Sequence, residues 1–484
     1  MSGEMIVVPD REDALAMTTQ VHDMTARARL SRRDAVLAGG LGAAALLGSA
    51  GHPAGAQDAT PATPAAAGAT PAAEGAIVLR PLLSENEMWE AFGSSRALIY
   101  ALDEGADFGE CMVTIRQIGD GGVDDWHREW VATGNRVMAL ADEAAAAGQR
   151  VSARRAYYRA TNYFHVAYLP LYGKPVDPRL VAAFDLEVEA FLKGAALSDF
   201  PVEPVEIPFE GTTLPGYLLL VDDSGTPRPT VVHTNGFDST IQEMYFAHGP
   251  SAVARGYNVL LFDGPGQGRP LIKQGMFLRP DWETVVTPVI DYALTRPEID
   301  PARIALAGWS FGGYLAPRAA CFEHRIAALV ADPGQWDQRG PVLSALPLTE
   351  AQKTAFPDID PALLDPMQAY LEGPDAPPML QWAIVKRSFW TNDVDSLYAF
   401  AVDLLRYQLS PYAQNIACPT FLSQASDDPV AAYASDLYAA ITQPKVLVPF
   451  TMAEGAGMHC EAMARTLYHQ RMFAWLDQTL GVSR

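Results

Sequence analysis

Only four cysteines occur in 484 residues, and 35 lysines and arginines stand against 57 aspartates and glutamates. Cys111, Cys321, Cys418 and Cys460 are widely scattered in a chain large enough to bury its own core. Neither a disulfide framework nor a metal cluster is indicated, and each thiol is expected to pack as a small hydrophobe. Cys460 adjoins His459, but neighbouring side chains are expected to point apart, which argues against Cys460 as a nucleophile. The shortage of basic residues leaves a net charge of −22. Such a surface repels nucleic acid and anionic lipid, excludes the basic stripe those partners need, and chiefly keeps a protein soluble.

Long apolar runs are scarce as well. One lies near the N-terminus, from Ala35 to Ala50, and it falls short of the ~20 residues that span a bilayer, so no stable membrane insertion is expected. Ser31-Arg32-Arg33 precedes it and Ala54-Gly55-Ala56 follows. Residues 1–56 therefore resemble a twin-arginine export signal cleaved after Ala56, which predicts a periplasmic or extracellular protein. Residues 57–80 are rich in Ala, Thr and Pro and read as an extended linker.

What is abundant is apolar material, 49% of the chain with 19% charged, ample for a large core. Residues 81–200 carry a helical period. Trp126, Trp130, Val137 and Ala141 share one face, and after a capping Ser152 so do Ala156, Tyr157, Ala160, Tyr163 and Ala167. From Val202 the period changes. Short strand-like runs at Leu214–Val221, Thr230–Thr234, Asn258–Phe262, Arg303–Ala307, Ile326–Ala331, Thr420–Ser423 and Val446–Phe450 alternate with helical stretches. That is the form of a mostly parallel sheet with helices on both faces, an α/β domain over residues 201–484. Residues 334–416 separate two of these strands and are too long for a plain connection. With the helical region, this insertion is the expected cap over a substrate site.

The chemistry is carried by Gly308-Trp309-Ser310-Phe311-Gly312-Gly313, which follows a strand and opens a helix. A serine on so tight a turn needs small residues two positions away on each side, because a Cβ there would collide with the turn. Ser310 is the candidate nucleophile. Its hydroxyl needs a base, and in this strand–turn–helix setting the histidine comes last in the chain. His459 lies in a Gly-containing loop after the last strand, whereas His469 belongs to the C-terminal helix. The acid that orients the base is expected after the insertion, where Asp428 is favoured over Asp427; Asp332 and Asp337, one strand earlier, are the other candidates. Oxyanion donors would be the backbone N–H groups of Phe311 and Phe237. The run Asp263 to Gly268 lacks the Lys-Ser/Thr of a phosphate loop and reads as a tight structural turn. Asp238, Trp309, Trp336 and Trp390 are candidate substrate contacts, and Trp336, Trp382, Phe389, Trp390 and Tyr398 in the insertion suggest an apolar or aromatic small molecule.

Asn235 through Gly268, the elbow with Gly313-Tyr314-Leu315-Ala316-Pro317-Arg318, and Glu454 to Glu461 resemble the α/β-hydrolases typified by 2,6-dihydroxypseudooxynicotine hydrolase, whose relatives include fungal hydrolases that shorten polyketides. The resemblance spans about Pro81 to Leu480. It implies an α/β-hydrolase fold with an N-terminal helical cap, a Ser-His-Asp mechanism without metal or organic cofactor, and in many members a homodimer. It implies cleavage of an ester or of a carbon–carbon bond beside a carbonyl, and it aligns Asp238 by position with an assisting acid. Two other readings share parts of this pattern. A serine peptidase of the oligopeptidase kind has the same elbow and order, but usually a β-propeller that has no repeat here. A binding module that lost catalysis would be expected to lose one of Ser310, Asp428 and His459.

Overall fold

The strand runs are β1 (Val202–Phe209), β2 (Thr212–Leu219), β3 (Arg228–Thr234), β4 (Asn258–Phe262), β5 (Ile299–Trp309), β6 (Ala328–Asp332), β7 (Thr420–Ala425) and β8 (Lys445–Phe450). In the computed structural model, which describes residues 81–482, they form one sheet in the order β1-β2-β4-β3-β5-β6-β7-β8. The expected export signal and linker, residues 1–80, lie outside the described residues. Pairings β1–β2 and β2–β4 are antiparallel, and the remainder are parallel.

β1 is absent from the strand runs expected from sequence. Its segment Val-Glu-Pro-Val-Glu-Ile-Pro-Phe carries prolines that deter a central strand, yet an edge strand tolerates them because one side of its backbone has no ladder to complete. Glu210 and Gly211 take φ of 42° and 81°, the left-handed pair that a two-residue hairpin requires.

Side chains alternate across the parallel strands. On β5, Ile304 and Leu306 join one buried cluster with Val232, Leu260, Leu329 and Leu422. Ala305, Ala307 and Trp309 join the cluster on the opposite face with Val231, Val259 and the C-terminal helix Arg465–Leu480. Both faces are thus covered by helices, as a parallel sheet demands.

Before the sheet, helices Glu87–Phe92, Phe108–Ile118, Val123–Ala146, Arg150–Tyr168 and Pro178–Ala195 pack on an aromatic core. Trp126, Trp130, Val137 and Ala141 are fully buried, and the Trp126 ring stacks on Trp89 at 4.6 Å. Ser152 is not the cap. The helix begins at Arg150 after Gln149, because Gly148 in a left-handed conformation (φ 71°) turns the chain two residues earlier. Between β6 and β7, the insertion folds into short helices that reach back to this bundle. The Trp382 ring meets Phe92 at 4.9 Å, and its Nε1 donates to the Leu169 carbonyl at 2.7 Å. No helix among the described residues is long and apolar enough to cross a membrane.

Candidate active site

β3 and β5 are adjacent and their connections leave in opposite directions, since β4 lies on the far side of β3 and β6 on the far side of β5. Ligand sites of open α/β sheets form at such a switch point, at the carboxyl ends of the strands. Ser310 stands at the end of β5 with φ 56°, a strained value for a residue with a Cβ. The surroundings hold it there. Its N–H donates to the Asp332 carbonyl at 2.6 Å, and its own carbonyl accepts from the Gly313 N–H at 2.8 Å and from Gln335 Nε2 at 2.6 Å. A Cβ on Gly308 would lie 1.9 Å from the Gly312 carbonyl oxygen, and one on Gly312 would lie 2.7 Å from that of Thr234. Gly308→Ala is therefore expected to destabilise the fold by at least about 3 kcal/mol, since the obstructing atoms are backbone; a urea unfolding midpoint equal to wild type contradicts this.

His459 arrives on the loop after β8 and Asp428 on the loop after β7. Ser310 Oγ lies 2.9 Å from His459 Nε2, and His459 Nδ1 lies 2.8 Å from Asp428 Oδ2. The second oxygen of Asp428 accepts from the Val430 N–H at 2.9 Å, capping the turn Pro429–Tyr433. Burial alone would lower the His459 pKa, but the hydrogen-bonded Asp428 carboxylate, helped by Asp332 and Asp238, outweighs it and holds the imidazole above its ordinary value.

Two of the other carboxylates weighed for the acid, Asp332 and Asp337, are engaged by other partners, and for Asp427 the backbone contact places the residue. Asp427 ties its backbone N–H to the Gly457 carbonyl at 2.8 Å, steadying the histidine loop. Asp332 accepts from Ser423 Oγ at 2.8 Å and Arg465 Nη1 at 2.9 Å. Asp337 accepts from the N–H groups of Leu409 and Ser410, closing the insertion. Cys460 departs from expectation: its Sγ lies 3.4 Å from His459 Nε2. The left-handed backbone at Cys460, φ 52° and ψ 30°, swings its side chain back beside the preceding ring. The thiol is fully buried and its pKa stands well above the ordinary value, first through burial and then through Asp332 and Asp428. It therefore stays protonated and is a poor nucleophile.

The loop after β3 closes the site. A Cβ on Gly236 would fall 2.9 Å from Ser310 Cβ, so only glycine lets this backbone pass. The rings of Phe237 and Phe311 meet edge to face at 5.6 Å. Neither residue's N–H donates to a protein acceptor among the described residues. The tight turn from Asp263 to Gly268 holds the loop from below: Gln267 Nε2 donates to the carbonyls of Asn235 and Gly236, both at 2.9 Å.

The proposed substrate contacts divide. Trp309 points to the far face of the sheet, with its ring 5.0 Å from His248 and under the Arg465 guanidinium at 4.3 Å. The period of two along β5 dictates that placement. Trp336 is half-buried, one residue from Gln335. Trp390 is buried against Tyr172 at 5.2 Å. Asp238 bonds Arg96 and Arg387. Gln267 acts within the run expected to be a structural turn, whereas no spacing singles out Gln335, Arg96 or Arg387, whose contacts join distant elements.

A mostly parallel sheet with a serine elbow after one strand, and a histidine and an aspartate converging on it from later loops, defines the class of α/β hydrolases. The model of the alpha/beta hydrolase family matches residues 231–467, and that of the FrsA-like esterases matches residues 114–346. Hydrolase LUC6 from Fusarium sp is 33% identical, with 78% of this chain and 94% of the relative covered. Hydrolase acrC from Aspergillus aculeatus is 34% identical over 80% of this chain and 96% of its own. The 20-hydroxy-prefusarin hydrolase FUS2 from Gibberella moniliformis is 34% identical over 79% and 94%. The crystal structure of 2,6-dihydroxy-pseudo-oxynicotine hydrolase superposes with a TM-score of 0.62 at 21% identity, covering 79% of this chain and 95% of that one. The chain belongs to the α/β-hydrolase family and is a hydrolase.

Proposed function

We propose that this hydrolase works through an acyl-enzyme on Ser310 and cleaves a carboxylic ester, or a carbon–carbon bond next to a carbonyl, in an apolar or aromatic small molecule. The observation that carries this reading is the series of contacts from Ser310 Oγ through His459 to Asp428, at 2.9 Å and 2.8 Å. His459 Nε2 takes the serine proton as Oγ attacks the carbonyl carbon, and Asp428 keeps the other ring nitrogen protonated and stabilises the imidazolium. The N–H groups of Phe311 and Phe237 receive the charge that develops on oxygen. His459 then returns the proton to the departing alkoxide or carbanion, and water repeats the sequence on the acyl-enzyme. No metal or organic cofactor enters these steps. Export of the enzyme is part of this proposal, supported by the resemblance of residues 1–56 to a twin-arginine signal.

The two chemistries differ in the leaving group, so they are separated by turnover of p-nitrophenyl esters and an aryl β-diketone side by side. Hydrolysis of neither by the folded protein sinks the reading. The base must be neutral to act, so kcat/KM is expected to fall as pH drops through a pKa above the ordinary ~6.5 of histidine. An acid limb centred well below pH 6 contradicts the assignment of His459.

A further inference from the structure

Two π-helical segments occur among the described residues, Gly93–Ala97 in the helical region and Trp382–Ser388 in the insertion. Each contributes one arginine, Arg96 and Arg387. Widened turns of this kind recur at functional sites. Both arginines end on Asp238, the residue after Phe237. Arg96 Nη1 donates to Oδ1 at 3.2 Å and Arg387 Nη1 to Oδ2 at 2.8 Å. The Asp238 carbonyl accepts from the Tyr172 hydroxyl at 3.3 Å and Arg96 Nη2 at 3.5 Å. Arg96 also grips Glu243 through Nε at 2.6 Å and Nη2 at 2.8 Å. The Arg387 guanidinium lies over the rings of Trp382 and Phe237, at 4.8 Å and 5.1 Å.

All four charged side chains are buried, and two cations face two anions. That balance matters, because a buried charge without its partner is strongly destabilising. Burial alone would raise the Asp238 pKa, but Arg96 and Arg387 together hold it below the ordinary carboxylate value. An ionised carboxylate bonded to an arginine on each oxygen is not poised to pass a proton to substrate. Its position does something else. Phe237 is bracketed: Gln267 fixes the two carbonyls before it from the sheet side, and the arginines fix the residue after it from the cap side.

We propose that Arg387 and Arg96 are positioning residues for the reaction, which act through Asp238 to aim the Phe237 N–H at the oxyanion. The inference rests on the reading of Ser310 as nucleophile. Oxyanion donors contribute most when fixed before the charge appears, and misplacement by about 1 Å lowers rate by about 100-fold. The hole is thus completed by the helical region and the insertion, so cap docking and catalytic competence are linked.

The test is steady-state kinetics on a p-nitrophenyl ester with Arg387→Ala, Arg387→Lys and Ser310→Ala, each checked by circular dichroism. Arg387→Ala is expected to lower kcat by about 100-fold with KM within about threefold of wild type. Added guanidinium, below its denaturing range, is expected to restore part of kcat by filling the same fork, which it would not do for general loosening of the fold. A kcat of Arg387→Ala within about twofold of wild type, or a loss borne by KM alone, overturns the proposal. So does a loss that guanidinium leaves unchanged. Should Arg387→Ala fail to fold, Arg387→Lys decides: a fall in kcat of about tenfold is expected because lysine lacks the planar fork, and wild-type kcat overturns it. Ser310→Ala separates the two failures. If it is inactive while the Arg387 variants match wild type, only the positioning role falls; if it is active, the acyl-enzyme reading falls first.

Discussion

Ser310→Ala is expected to lower kcat on activated esters by about 10⁶-fold and to leave the fold intact. The variant keeps His459, Asp428 and the two N–H groups proposed as oxyanion donors, so a residual rate of roughly 10³ to 10⁴ over water should persist. Alanine inherits the same left-handed backbone as serine, φ 56°, so the strain of the elbow is unchanged and thermal stability should hardly move. His459→Ala should be nearly as damaging. The double variant should be no worse than either single one, because the groups act as a unit. Intact-mass spectrometry after a fluorophosphonate gives an independent reading: wild type gains one adduct on Ser310, and Ser310→Ala gains none. Labelling of Ser310→Ala at the wild-type rate, or undiminished turnover, removes Ser310 from the mechanism.

Asp428→Asn is expected to lower kcat by about 10⁴-fold. The carboxylate accepts from His459 Nδ1 at 2.8 Å, which leaves Nε2 free to accept from Ser310. An asparagine amide turned toward Nδ1 would donate instead. The ring proton would then move to Nε2, where it blocks the serine. The same change removes the carboxylate that holds the His459 pKa up, while the burial that lowers it remains. The residual activity should therefore have its acid limb at lower pH than wild type. Asp427→Asn provides the contrast. It preserves the backbone N–H to Gly457, and kcat should stay within about threefold of wild type, as for most changes away from the reacting groups. If Asp427→Asn is the crippled variant, the acid has been assigned to the wrong one of two neighbours.

Much of the site was legible because it is local. Gly308 and Gly312 flank Ser310 at the two positions where the turn cannot accept a Cβ, and the run sits between a strand and a helix. Strand, turn and helix periods are all written within a dozen residues, so the sequence by itself determined the fold class, the elbow and the order in which the later residues follow. The sequence favours Asp428 over Asp427, and the turn that begins at Pro429 brings the Asp428 carboxylate within 2.8 Å of His459 Nδ1. Cys460 departs from the general rule for neighbours through the left-handed backbone at Cys460 and Glu461, which no composition reveals. Strand alternation along β5 assigns Trp309 to the face of the sheet beside His248 and Arg465, against its expected place as a substrate contact. β1 was hidden by prolines that only its place at the sheet edge tolerates.

What only the tertiary structure decided is the company each polar group keeps. Asp238 lies 142 residues from Arg96 and 149 from Arg387, and nothing in local sequence couples them. A buried carboxylate has a role set by the charges the fold brings within hydrogen-bonding distance, because its interaction energy depends on separation in space and on exclusion of water. Backbone sterics act over a few residues and can be read along the chain. Electrostatic partnership acts across packed elements and becomes visible only when the helical region, the sheet and the insertion have closed on one another.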